Sequence, residues 1–185
     1  MAHASSFCRG TWSSNWTIPA RSGRQSGWGD LLGGVVIVMR RVETGEYHSG
    51  EVPLELFQGP AFKEQLYLEK ALEIAHEGIE RLQITREEPL HVCSGYILSR
   101  IRDELQAEGY EIVPVKITGH TQDLAEREFK KSLVRLGIGD EETVSEMRSF
   151  DAFLGWAMED LDGRERFVKT GWKAWPRLKE GRDSP

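Results

Sequence analysis

The segment VKITGHTQDLAEREF, residues 115–129, runs from branched residues through a glycine into His120, Gln122, Asp123 and Glu126, spaced as in the first turns of a helix. Such side chains can hold a cation or move a proton, and which of them act together depends on the face each takes. At 100° per residue Ala125, Phe129, Leu133 and Leu136 make the apolar side, Gln122 and Glu126 point with them, and His120, Asp123 and Arg127 point away. The pair aimed at a sheet is therefore Glu126 with Gln122. His120 and Asp123 read as a polar helix start, with the acid near the positive helix end. Glu64 is the other acid whose direction matters. On a helix running from 60 to about 82 it shares the angle of Leu82, in the middle of a face made by Tyr67, Leu68, Ala71, Ile74, Ala75 and Ile79. Two readings stay open for it: a ligand aimed at the sheet, or a first-turn glutamate that favours the helix end and reaches water.

A second chemistry lies near the C-terminus. GRERFVKTGWKAWPRLKEGR sets Arg164, Arg166, Lys169, Lys173 and Arg177 among Phe167, Trp172 and Trp175, a mixture that neutralises phosphates and stacks the bases of single-stranded nucleic acid. The alternative is that these aromatics dock on the core or on a second copy in a homodimer, with their large burial as the drive and their charges offsetting an acidic body. Charge is unevenly spread. The chain carries a net −6; residues 163–185 hold seven Lys or Arg against three acids, residues 1–34 three Arg against one Asp, and the span between is strongly acidic. The net charge argues against a protein that coats nucleic acid nonspecifically, although the C-terminal part is basic.

HVCSGYILSR is similar to the phosphate-binding loop of the cysteine phosphatases, but departs from it. Six residues separate Cys93 from Arg100 where that family has five, and His91 is one residue too far from the cysteine. Cys93 reads better as a buried strand cysteine, while Ser94 and Gly95, opening a helix after a strand, remain able to accept a phosphate. Cys8 and Cys93 alone make neither a disulfide framework nor a thiolate metal site. SGRQSGWGD (22–30) and Gly33-Gly34 lack the spacing of a phosphate or dinucleotide loop and read as a turn. No Gly-x-Ser-x-Gly elbow or His-Glu-x-x-His pair occurs.

The elements that must position these residues follow from periodicity. NWTIPA, GVVIVMRRV (34–42), VPLELF, PLHVCS and YEIVPVKIT read as strands, with ETGE a turn after the second. Helices are expected over 60–82, over YILSRIRDELQAEG, over HTQDLAEREFKKSLVRLG, and from about 141 to 161 with Met147, Phe150, Leu154, Met158 and Leu161 along one side. Pro53 and Pro114 fall in the third and fifth strands, and a residue without an N–H belongs at a sheet edge. The order 3-2-1-4-5 satisfies both and buries the apolar second strand. Pro19, in a central strand, then needs a strand end or a bulge.

Three strands, a helix, then strand-helix-strand-helix over about residues 16–136 resembles the ribonuclease H-like fold. IPARSGR and HVCSGY also resemble pieces of uncharacterised archaeal proteins, which implies no activity. The first resemblance implies a mixed five-stranded α/β domain with helices on both faces, plus here an extra C-terminal helix. It also implies carboxylates that hold two divalent ions, Mg²⁺ or Mn²⁺, for phosphodiester hydrolysis. Of its four ligand positions, the first falls on Ala20 or Arg21 and the third on Cys93, Ser94 and Gly95, without an acid unless Asp30 substitutes; Glu64 and Glu126 match the other two, with Gln122 to orient water or phosphate. The expectation is a metal-dependent nuclease or a degenerate nucleic-acid-binding relative; the competing one is a noncatalytic interaction or self-association module.

Length and composition suit one domain, 16–162, between a Ser-rich disordered stretch, 1–15, and a basic aromatic tail, 163–185. No apolar run reaches the roughly 20 residues of a membrane span and no secretory leader is evident, so a soluble, cytoplasmic protein without membrane association is expected. The 29% charged residues lean toward a thermophilic source.

Overall fold

Five strands build one mixed sheet: β1 (Trp16–Ile18), β2 (Val35–Arg41), β3 (Tyr47–Val52), β4 (Leu90–Cys93) and β5 (Ile112–Val115), in the order β3-β2-β1-β4-β5. β1, β4 and β5 are parallel, and β2 runs against both β1 and β3. A computed structural model describes residues 16–18, 31–147 and 149–180. Expectations placed on residues 1–15, on Pro19, on Ala20 and Arg21, and on the Gly-rich stretch with Asp30 lie outside the described residues.

The strand order is the one the prolines imply. Pro114 stands in edge strand β5, and Pro53 lies one residue past edge strand β3, where no ladder hydrogen bond is lost. The third strand itself is displaced from its expected place. Tyr47–Val52 pairs with β2, whereas Leu54–Phe57 forms a 3-10 turn. Leu54 and Phe57, three apart, fall on one side of such a turn and both are buried. Apolar residues that look alternating from Val52 onward are thus split between a strand end and a turn.

Among the described residues eight helices connect and follow the strands: α1 (Gly59–Lys63), α2 (Leu66–Arg81), α3 (Ser99–Ala107), α4 (His120–Arg135), α5 (Glu141–Glu146), α6 (Phe150–Glu159), α7 (Leu161–Arg164) and α8 (Trp175–Glu180). The unbroken apolar run in β2 is explained by cover on both sides of the sheet. Val35, Ile37 and Met39 join Trp16 and Ile18 against α2 and α3, while Val36 and Val38 join Leu31 and Leu32 against α4 and the C-terminal helices. On α2 the expected face is buried at Tyr67, Leu68, Ala71, Ile74 and Ala75. On α4 it is buried at Ala125, Phe129 and Leu133.

Two expected helices are interrupted. The one over 60–82 breaks at Glu64 and Gln65, whose φ of 58° is left-handed. The break lets the Phe62 ring stack on Tyr67, centroids 5.3 Å apart, with Phe57 stacked on the same ring at 5.2 Å. Residues five apart on a continuous helix diverge by about 140° and could not meet this way. The helix expected over 141–161 is three helices, each with its own cap. Asp140 accepts from the Thr143 N–H (2.8 Å), Ser149 from Ala152 (3.2 Å) and Asp160 from Gly163 (3.2 Å). The interruption rephases the chain, so α6 buries Phe153 and Ala157 most deeply, while the expected Phe150, Leu154, Met158 and Leu161 pack half-buried against the same layer and Met147 is buried in it.

The residues set apart as a tail complete the second core layer. Val168 pairs with Leu32 in an isolated antiparallel bridge, and Val168 and Trp175 are buried with Phe129 and Leu133. The Gln58 amide donates to the carbonyls of Arg166 (3.1 Å) and Val168 (2.8 Å), and the Gly171 N–H to that of Phe57 (2.9 Å). Among the described residues no helix is long and apolar enough to cross a membrane.

Candidate functional site

Arg40, Thr17 and His91 form a row across three neighbouring strands, because Thr17 is in register with Arg40 on one side and with His91 on the other. Register partners raise their side chains on one face, and strands lie about 4.8 Å apart, so the row spans about 10 Å. Trp16, Ile18, Leu90 and Val92, their neighbours along the strands, point to the opposite face and into the first core layer. Polar residues between apolar ones therefore floor a patch on the α4 side.

The wall of this patch is the chain leaving β5. Lys116, Ile117 and Thr118 lead to Gly119, whose φ of 70° and ψ of −147° suit glycine alone, and α4 starts at the next residue. Gly119 supplies no side-chain cap to the helix. The Thr121 hydroxyl, 5% exposed, ties wall to floor: it accepts from Arg40 Nη1 at 3.5 Å and lies 3.2 Å from the Thr17 hydroxyl, which donates either to it or to the Arg40 carbonyl at 3.4 Å.

Together these residues enclose a groove of about 460 Å³ lined by Thr17, Arg40, Val42, His91 and residues 115–121. The volume is within the roughly 300–1,000 Å³ of small-ligand sites. Among the described residues no carboxylate lines it. Two permanent cations, Arg40 and Lys116, two imidazoles, His91 and His120, and three threonine hydroxyls make a set suited to an anion. The uncapped first turn of α4 adds N–H groups of the same preference.

Sequence reasoning missed Arg40, Thr17, His91 and Thr121. Trp-Thr-Ile and Leu-His-Val each interrupt an apolar strand with one polar residue, and Met-Arg-Arg ends another, which is a signal for a polar patch on one face. Joining the three needed the register between strands far apart in the chain.

The residues singled out from the sequence are distributed as follows. The Gln122 amide donates to Glu126 Oε1 at 3.2 Å, both side chains half-buried on α4, and His120 and Asp123 are exposed at its start. Glu64 is exposed at the break between α1 and α2. Beside it, burial and then the neighbouring Tyr96 push the Tyr67 hydroxyl up to about 12, and the Gln65 amide donates to the Tyr96 hydroxyl at 3.1 Å. α2 packs on the first core layer and α4 on the second, so Glu64 and Glu126 belong to elements on opposite sides of the sheet. Ser94 is exposed and Gly95 precedes a short 3-10 turn, with α3 starting only at Ser99. Arg102 Nη1 donates to the carbonyls of Cys93 (2.7 Å) and Gly95 (3.1 Å), clamping that turn.

Most of the C-terminal basic and aromatic side chains are engaged within the fold. Arg164 donates to the Trp156 carbonyl and to Glu159, with its guanidinium 4.4 Å from the Trp156 ring. Arg166 lies over Phe167 and the buried Lys169 over Phe57, at 4.7 and 5.3 Å. Trp172 packs on Phe150, centroids 5.8 Å apart. Trp175 is 2% exposed, which leaves no ring face for a base, and its indole N–H donates to Glu165 at 2.8 Å. Lys179, donating to Glu165 at 2.7 Å, and then Trp175 hold that carboxyl below the usual range. Lys173 is exposed.

Among the described residues no three His, Cys, Asp or Glu side chains gather in a group able to hold a metal ion. No protein-family model matches the chain, and no curated protein matches it.

Proposed function

We propose that the chain is a ribonuclease H-like α/β domain that binds single-stranded nucleic acid, with the backbone phosphates received in the groove floored by Arg40, Thr17 and His91. The observation that carries this reading is a groove lining without a single carboxylate among the described residues, in a chain of net charge −6. An acidic protein that keeps one depression free of acids and supplies it with Arg40 and Lys116 has the local field an anion requires, because a groove with low-dielectric walls focuses the charges nearest to it. The strand order supports the fold likeness.

Hydrolysis through Mg²⁺ or Mn²⁺ held by Glu64 and Glu126, with Gln122 orienting water or phosphate, has less support. Glu64 is exposed on the first-layer side and Gln122 is already bonded to Glu126 on the other. Self-association through the C-terminal aromatics is the weaker alternative too, since Trp175 is spent inside the fold.

Binding of labelled single-stranded RNA and DNA across a salt series tests the reading. If Arg40 and Lys116 each neutralise one phosphate, the log affinity should fall against log salt with a slope of about −1.4, and Arg40→Gln should reduce it by about 0.7. Salt-independent binding, or binding unaltered in both Arg40→Gln and Lys116→Gln, refutes it. The same samples with Mn²⁺, alongside Glu64→Ala and Glu126→Ala, report hydrolysis; cleavage equal in both variants removes those glutamates from any catalytic role.

A further inference from the structure

We infer that the groove seats a terminal phosphate monoester, at the end of a strand or on a free nucleoside monophosphate, in preference to an internal phosphodiester; this rests on the nucleic-acid reading above and names the group that the site takes.

Charge is the first argument. Arg40 and Lys116 are permanent cations that line one groove with no carboxylate among its other residues. An internal diester carries one negative charge, so two neighbouring phosphates are needed to match both cations, whereas a single phosphate monoester carries about −1.5 to −2 near neutral pH. Size is the second. The row Arg40–Thr17–His91 crosses only three strands, about 10 Å, which is too short for a long run of backbone phosphates. Donor supply is the third. A monoester presents three free oxygens, and the groove answers with the Arg40 guanidinium, the Lys116 ammonium, the Thr118 hydroxyl and the imidazoles of His91 and His120. The lining is also without an aromatic side chain other than imidazole, so it offers the phosphate more than it offers the base.

Arg40 is the residue that orients the site. Its Nη1 bond to the buried Thr121 hydroxyl leaves the rest of the guanidinium fork for the ligand.

The test compares one oligonucleotide sequence bearing a 5′-phosphate, a 3′-phosphate or hydroxyls at both ends, with adenosine monophosphate and inorganic phosphate as competitors. At least one phosphorylated form should bind about tenfold or more tighter than the hydroxyl form, as expected of charged hydrogen bonds gained. Adenosine monophosphate should compete, and the better end identifies the source. Arg40→Gln and, independently, the surface variant Lys116→Gln should each bring the ratio of phosphorylated to hydroxyl affinity toward one, with thermal unfolding checking that each variant is folded. Equal affinities for all three ends overturn the inference while leaving strand binding intact. Tight binding of the monophosphate without binding of any oligonucleotide supports the inference and overturns the strand reading, and an absence of binding by every probe overturns both.

Discussion

Acidification should destabilise this fold through one histidine, in a window set by His48. Its ring is 7% exposed, turned from edge strand β3 toward α2, and its Nε2 is buried without a hydrogen-bond partner. A methyl added at Gly78 would meet the ring Cδ2 at 3.0 Å, so there is no room for the ring to swing toward α2. Burial first, and then the charge of Arg81, lower its pKa from the ordinary 6.5, and the Glu77 carboxylate, 3.9 Å from Nε2, opposes them without prevailing. A lowered histidine pKa means that the fold excludes a proton the unfolded chain accepts. His48 therefore costs the fold nothing above about pH 6.5, and stability falls as the pH drops from there toward its folded value. One such proton gives a slope of at most about 1.4 kcal/mol per pH unit. For a domain of this size that is about 3–6 °C of melting temperature per unit at the steepest. Melting curves from pH 8 to pH 5, for the protein and for His48→Gln, isolate the effect, because other titrating groups are common to both. The variant should lose less of its melting temperature between pH 7 and pH 5.5. Parallel curves would refute the reasoning. Removing opposing charges checks the causes: Glu77→Gln should steepen the loss and Arg81→Gln should soften it.

Trp175→Ala should cost about 3–5 kcal/mol in denaturant unfolding, as for other buried large aromatics, and clearly more than Trp172→Ala, whose ring is half-exposed on Phe150; near-neutral effects for both would contradict the docking of this segment. Gly34→Ala should lower stability by about 1–3 kcal/mol or more, because a methyl there would lie 2.2 Å from the Val52 carbonyl oxygen, backbone that cannot swing aside; an unchanged melting temperature would show that the β2–β3 ladder yields at that point.

Much of the framework is legible because its signals are local or symmetric. β2 declares itself by five consecutive apolar residues, the two prolines sort the edges, and the buried faces of α2 and α4 follow from spacing alone. The break at Gln65 is not legible, since its cause is the stacking of Phe62 and Phe57 on Tyr67, and Phe57 comes from another turn. The division of the last helix is half-legible: Asp140, Ser149 and Asp160 are all good capping types, and weighing them against the apolar spacing would have separated the three pieces. The site was missed for a different reason. Carboxylates and the His-x-x-Asp pair draw attention as chemistry-bearing residues, yet the groove is made of an arginine, a histidine and threonines that look unremarkable in their own strands. Only the pairing Arg40–Thr17–His91 gives them a common address, and strand register is a property of the folded chain.

The stitching of the C-terminal segment has a consequence for how the protein is made. Val36 and Val38 leave the ribosome early, but Val168 and Trp175, which close the layer over them, are among the last residues described. The half of the core under α2 and α3 can form while synthesis continues; the other half, covered first by α4, stays partly open to water, and to any chaperone that recognises apolar strands, until residues 168–175 have emerged. A ribosome stalled before residue 168 would hold a nascent chain with that side of its sheet covered by α4 but not yet closed by Val168 and Trp175.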